Sequence, residues 1–476
     1  MNRRRTSVGA LVALVALAAA CAQPSEQDLL AGGDDPGGGP IPTSDPGGEV
    51  PEGPHVADDP DAIAEAAVQD VSEFWRVTYP DVYDDEFEEV AGFYPYGPDT
   101  EPPPCGDPPP EYELIADNAF YCPSDDIIAW DAASFLPEVN ETFGGFTVAI
   151  VIAHEFGHAI QARAEAFDRT VDLELQADCF AGAWTGRVTA GEAGGFSAED
   201  VDLNQTVAGM TAIRDIPGTD PDDPLAHGSG FDRVTSFQDG YENGAQACVE
   251  YADQSVDRDT TEVPFQSEEE FRNEGNMPLE DGPDGDGLLT LLVADLNEFY
   301  GVLFGEIGQQ WTPVDELVLV DPARDSITCG GRPFEGSDLE GAAVYCEDEN
   351  VVVLDGAGLV PDLNRIGDFA VGAEVGRLWA QAAQARLGRT GAGDAALQAD
   401  CLTGVWSISL SPGDETTPES ELTTSAGDLD EAIQGFLAYG SGLDEEVGTI
   451  FERTSALRTG YREGYTGCER EYGALG

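Results

Sequence analysis

Apolar residues recur at helical spacing from about Ala62 to Thr78 and again from about Leu288 to Phe304, and each run predicts a helix packed on one face. Each is followed by a Pro-rich, strand-like region. In the first half of the chain two further helices are predicted, from about Thr147 to Phe167 and from about Val171 to Val188. Both are apolar on one face and free of interior proline. Two stretches break this pattern. Residues 22–58 are dominated by Gly, Pro, Asp and Glu with almost no large apolar side chains, too little to offset the entropy of ordering, and predict a tether that runs to about residue 60. Residues 253–287 form a second acidic stretch and read as a linker. Asp281 to Gly287 has a superficial calcium-loop look, but Pro283 interrupts it and Leu292 stands where the twelfth-position Glu would be.

The segments on either side of the linker are alike. Asn118-Ala119-Phe120-Tyr121-Cys122-Pro123 parallels Ala342-Ala343-Val344-Tyr345-Cys346-Glu347, Leu175 to Trp184 parallels Leu397 to Trp406, and Gly240-Tyr241-Glu242-Asn243-Gly244 parallels Gly460-Tyr461-Arg462-Glu463-Gly464. With 476 residues, 41% of them hydrophobic, the chain can bury two cores. The expected architecture is α+β, mainly helical, in two tandem copies of one domain over residues 61–252 and 288–476. Cys105, Cys122, Cys179 and Cys248 match Cys329, Cys346, Cys401 and Cys468 at nearly constant offset. In an exported protein such sets read as disulfides, and the short spacing of the first two in each copy pairs Cys105 with Cys122 and Cys179 with Cys248, likewise in copy two.

Export is suggested by residues 1–21. Arg3, Arg4 and Arg5 precede an apolar run too short to span a membrane, and Leu17-Ala18-Ala19-Ala20-Cys21 resembles a lipobox. The expectation is an extracytoplasmic protein lipid-anchored to the cell membrane through Cys21, with full secretion as the alternative. Charge narrows the partners further. The chain holds 93 acidic residues against 21 basic ones, all Arg, for a net charge of −72, so no nucleic-acid partner is expected. A lysine-free acidic surface suits concentrated salt and suggests a halophilic source.

Only four histidines occur. His55 lies in the tether. His154-Glu155-Phe156-Gly157-His158 falls inside a predicted helix, where i, i+4 spacing puts both imidazoles on one face so that both can bind one metal ion, with Glu155 within reach of a water on that ion. A further His six positions on would be a metzincin signature, but that position is Ala164. The next helix supplies Glu174 and Asp178, again four apart. Glu174 can complete a His-His-Glu zinc site, while Asp178 can orient a ligand imidazole. In that reading Glu155 takes a proton from the zinc-bound water, which attacks the polarised carbonyl of a peptide bond. His227, in Ala226-His227-Gly228-Ser229-Gly230, is a candidate donor to the oxyanion.

Ala153 to His158, Leu173 to Cys179, Phe120-Tyr121-Cys122-Pro123 and the His227-Gly228 loop together resemble the neutral zinc metallopeptidases, a bacterial family with HExxH followed by Leu-Glu-Leu-Gln-Ala-Asp-Cys. The resemblance covers residues 61–252 and, weakly, 288–472. It implies a zincin-like fold and a gluzincin-like ligand set of His154, His158 and Glu174, with Glu155 as base, one Zn2+ per chain and a peptide or protein substrate. Copy two departs from the pattern. Aligning the helices puts Ala373-Glu374-Val375-Gly376-Arg377 opposite the HExxH and Ala395-Ala396-Leu397 opposite Leu173-Glu174-Leu175, so all three ligands are missing while Glu374 and Asp400 persist. Zinc is not expected there. The residues alone leave open a catalytically idle surface binding protein, and a hydrolase of some non-peptide amide.

Overall fold

A computed structural model describes residues 59–475, apart from 167–168, 224–225, 253–259, 262–264, 266, 283–286, 390–393, 412–421 and 440–447. The expected leader with Cys21, the tether with His55 and the expected helix end at Phe167 lie outside the described residues.

Helix α1 (Pro60–Tyr83) starts where Asp59 caps it, its side chain accepting from the Asp61 N–H at 3.2 Å, and Pro60 occupies the first turn, where its missing N–H costs nothing. It continues past the expected Thr78 and around Pro80 to close on Asp84 in the left-handed conformation. Strands β1 (Gly92–Tyr96), β2 (Ala119–Cys122) and β3 (Ile127–Asp131) follow, in the order β1-β3-β2, with β1 parallel and β2 antiparallel to the central β3. Pro95 is tolerated because β1 is an edge strand. The longer helices of this half follow, α2 (Phe135–Phe143), α3 (Gly145–Arg163), α4 (Thr170–Thr189) and α5 (Leu203–Ala212), and α6 (Gly230–Asn243) then packs along α4.

The C-terminal half runs through the same order. Helix α7 (Leu288–Glu306) leads to β4 (Glu316–Val320), the hairpin β5 (Ser326–Cys329) and β6 (Arg332–Glu335), then β7 (Ala343–Cys346) and β8 (Val351–Asp355). Its main sheet is β4-β8-β7, parallel then antiparallel as before. Helices α8 (Leu359–Ile366), α9 (Asp368–Arg386), α10 (Asp394–Ser409), α11 (Asp428–Tyr439) and α12 (Ile450–Tyr472) follow. The chain is thus mixed α+β and mostly helical. Disulfides close Cys105 to Cys122, Cys179 to Cys248, Cys329 to Cys346 and Cys401 to Cys468, the pairing expected from spacing. The stretch expected as linker carries a short helix, Glu268–Arg272, and is tied down at Asn276 and Met277, which bond to the backbone and side chain of Asp368.

Core contacts repeat between the halves and fix their register. Trp184 stacks on Phe146 at 5.5 Å and donates to Asp70; Trp406 stacks on Phe369 at 5.7 Å and donates to Asp295. Gln161 donates to the Leu173 carbonyl and Gln384 to that of Ala395, while Arg163 and Arg386 reach back to the Glu88 and Thr312 carbonyls. These pairs correct the alignment drawn from sequence. They place Arg377 opposite His154, Leu378 opposite Glu155 and Gln381 opposite His158, one helical turn from the earlier register. Glu374 therefore stands opposite Val151 and not opposite the base. It instead pairs with Arg377 in the buried space where the first half gathers its polar residues, and Arg377 also feels Asp400. Burial opposes the guanidinium charge, but Glu374 outweighs it and keeps Arg377 a cation.

The halves pack together through α5 and α6 against α11 and α12. The contact is reciprocal. Asp430 of α11 accepts from the first N–H groups of α6, and Asn204 of α5 accepts from the Phe451 N–H at the start of α12, at 3.3 Å. Gln238 donates to the Phe451 carbonyl, and Arg458 pairs with Asp239 and Glu242.

Candidate metal centre

Helices α3 and α4 cross at Gly157. A Cβ there would lie 2.6 Å from the Ala177 Cα, so only glycine lets the backbones approach closely enough to bring the two sets of polar residues together. On one side α3 presents His154, Glu155 and His158, and on the other α4 presents Glu174 and Asp178; all five are buried. Burial of five polar groups on two crossing helices is costly unless each is satisfied.

The hydrogen bonds behind the imidazoles decide what faces forward. His154 Nδ1 lies 2.8 Å from Asp178 Oδ1, and Asp178 is held by both Nε and Nη2 of Arg233, at 2.8 and 3.0 Å. Arg233 keeps Asp178 ionised and accepting: burial pushes the carboxyl up, and Arg233 with His154 overcomes it. Gln161 donates its amide to the Leu173 carbonyl, which turns Oε1 toward His158 Nδ1 at 2.9 Å. Each Nδ1 thus meets an acceptor and carries the proton, which assigns both Nε2 atoms as lone-pair acceptors. Those two atoms lie 3.1 Å apart. Glu174 is 3.2 Å from His154 Nε2 and 3.5 Å from His158 Nε2. Burial would raise the Glu174 carboxyl, but the neighbouring histidines hold it well below the usual carboxylate range.

Three acceptors converging within 4.8 Å in a buried space repel one another unless a cation lies among them. Two imidazole nitrogens and one carboxylate are the donor set of a catalytic zinc site with one position left open, and separations of 3.1–3.5 Å suit ligand bonds of about 2.0–2.2 Å around a tetrahedral ion. Residues 105–251 match the model of the family described as "Putative neutral zinc metallopeptidase". Among curated relatives, uncharacterized protein YpfJ of Escherichia coli is 30% identical over 153 residues, 27% of this chain and 52% of that one. Uncharacterized protein Rv2575 of Mycobacterium tuberculosis is 30% identical over 151 residues, 26% and 52% respectively. The chain spans about half the length of these relatives. No solved structure matches it. The family implies zinc, and the three converging groups of His154, His158 and Glu174, which could hold a metal ion, lie within the matched residues.

A pocket partly open to solvent adjoins the site. His154 and Glu155 line it, Phe135, Ile150, Met210 and Ile213 make much of the rest apolar, and Asn118 with Ala119, the first residue of the edge strand β2, also lines it. His227 lies in the loop before α6. Its backbone N–H donates to Asp215 at 2.6 Å, and its Nδ1 is 3.3 Å from the same carboxylate. Arg233, Gln161 and Asp215 belong to none of the motifs singled out in the sequence. The first two were accessible: Gln384 and Arg453 repeat them, and Arg453 grips Asp400 at 2.8 and 3.0 Å as Arg233 grips Asp178.

Proposed function

We propose that the chain is an extracytoplasmic zinc peptidase with one metal centre, in residues 61–252. We further propose that residues 288–476 are a second copy of the same zincin-like domain that has lost the site. The observation that carries the activity is the convergence of two imidazole lone pairs and a carboxylate next to the buried Glu155 on a cavity wall. Bound by His154, His158 and Glu174, zinc supplies a Lewis acid for a carbonyl oxygen and lowers the pKa of water toward neutrality.

The protein's own residues do the rest. Glu155 takes the proton of the attacking water and delivers it to the leaving amine. Asp178 and Gln161 fix the tautomers of His154 and His158, so that the two Nε2 atoms stay aimed at one point. His227, braced by Asp215, donates to the carbonyl oxygen as negative charge develops there. A peptide substrate is favoured over a small amide because the edge strand β2 begins in the pocket lining, where an extended chain could pair with it, and the apolar walls accept a side chain. Four disulfides support a location outside the cytoplasm, with Cys21 as the lipid anchor to the membrane.

The test is metal content and peptide cleavage by the full chain in high salt, wild type beside Glu155→Gln. About one zinc per chain in both, with chelator-sensitive cleavage in wild type alone, is the expected result. Zinc without cleavage of any peptide, in a substrate panel that includes simple amides, would transfer the proposal to another amide hydrolase or to a binding role. A chain that takes up no zinc would refute it.

A further inference from the structure

The C-terminal half lends one side chain to the frame of the metal centre. Asp430, in the first turn of α11 and 2% exposed, turns its carboxylate across the interface between the halves. One oxygen accepts from the Phe231 N–H at 2.7 Å. The other accepts from the Gly230 N–H at 3.1 Å and lies 2.7 Å from Arg214 Nε. Gly230 and Phe231 open α6, where backbone N–H groups have no partner within the helix and the helix dipole favours an anion. Asp430 therefore ties two N-terminal pieces together: the start of α6 and the segment 213–215.

Arg233 is held between those two pieces. It sits one turn into α6, donates Nη1 to the Ile213 carbonyl at 2.9 Å, and grips Asp178 with its other nitrogens. Asp178 in turn holds His154 Nδ1. In the same segment Asp215 accepts from the backbone N–H groups of His227 and Gly228. We infer that Asp430 is a positioning residue for the metal centre: by fixing α6 against residues 213–215 it sets Arg233, and through Arg233 and Asp178 the orientation of the His154 imidazole. This rests on the zinc site proposed above, and it makes the C-terminal half part of that site's support.

The interface contains its own control. Asn204 makes the mirror contact to Phe451 at the start of α12, and the relay beyond it, Arg453 to Asp400, ends at Arg377 and at no ligand. Asn204→Ala loosens the same interface without entering the chain from Asp430 to His154. The full-length protein would be compared as wild type, Asp430→Ala, Asp430→Asn and Asn204→Ala. The readouts are zinc affinity by competition with a chromophoric chelator, the visible spectrum of the cobalt-loaded protein, and thermal unfolding of the metal-free form. Asp430→Ala should weaken zinc roughly ten-fold, the lower end of what loss of an outer partner costs, and should alter the cobalt spectrum. Asp430→Asn, which keeps one acceptor oxygen, should fall between, and it carries the comparison if the alanine variant does not fold. Asn204→Ala should lower the unfolding temperature and leave affinity and spectrum as in wild type. Unchanged affinity and spectrum in both Asp430 variants, or an equal loss in Asn204→Ala, would overturn the inference while leaving the site intact. Failure of wild type to bind zinc would remove the site itself.

Discussion

Asp178 shows how much of the proposed metal site lies behind its ligands. Its carboxylate is shared between His154 and Arg233, so Asp178→Asn should both weaken zinc about 10–100-fold and leave the buried guanidinium uncompensated, at a cost of about 3–5 kcal/mol. Chelator competition and urea unfolding of the metal-free protein measure the two effects separately, and loss of affinity without loss of stability would mean that Arg233 finds another partner. At this scale the sequence was legible where spacing encodes geometry. His154, Glu155 and His158 follow from i, i+4 periodicity, and Glu174 with Asp178 from the same rule one helix later. Arg233 and Asp430 were not legible that way, because they reach the site across helix contacts that no local spacing reports. Glu374 misled for the opposite reason: an identical residue type in the aligned helix stood opposite the base, whereas Gln384, Arg386 and Phe369 carry the register.

Helix pairs supply the rigidity those side chains need. Helices α4 and α6 touch backbone to backbone at Gly240, where a Cβ would lie 1.8 Å from the Cys179 carbonyl, and the Cys179–Cys248 disulfide closes the same corner. Gly240→Ala should force the helices apart, lowering stability by roughly 1–3 kcal/mol or more and weakening zinc as Arg233 moves away from Asp178, with denaturant unfolding and metal titration as the measurements. Another junction, between α9 and α11, buries Asp368, Asp428 and Glu431 together. Burial, reinforced by Asp368 at Asp428 and by Asp428 and Asp368 at Glu431, pushes Asp368 up to about 6, Glu431 up to about 10, and Asp428 well above the usual range. Each holds its proton more tightly folded than unfolded. Their contribution to stability is complete below about pH 4 and is lost as the pH climbs from there to the folded values, about 6 for Asp368 and about 10 for Glu431. At fixed high salt the unfolding midpoint should fall between about pH 5 and 9, and Glu431→Gln should flatten that slope; an unchanged slope would place the titrating groups elsewhere. The helices themselves were readable from apolar periodicity to within a few residues. Their pairing was not, since it depends on glycines whose meaning appears only when the opposing backbone is in view.

Over the whole molecule, a net charge of −72 sets the conditions under which the protein holds together. Repulsion among surface carboxylates is screened over about 3 Å at molar salt and over about 10 Å at 0.1 M, so the unfolding midpoint should rise as NaCl increases into the molar range. A protein most stable in dilute buffer would contradict the proposal of a salt-rich habitat. The repeat of elements was legible in the Cys and Trp spacings. The reciprocal contact between the halves was not, because Asn204 and Asp430 are different residue types doing the same work. The Arg377 guanidinium, finally, bears on history. Recovering a zinc site in the C-terminal half would take Arg377→His, Leu378→Glu, Gln381→His and Ala396→Glu together. Removing Arg377 first strands Glu374, and adding a new glutamate first puts another carboxylate into a space that already buries Asp400. Three of the four changes are therefore losses when made first, so if the second half is the copy proposed above, an arginine settled in that space makes return to metal binding far harder than departure from it.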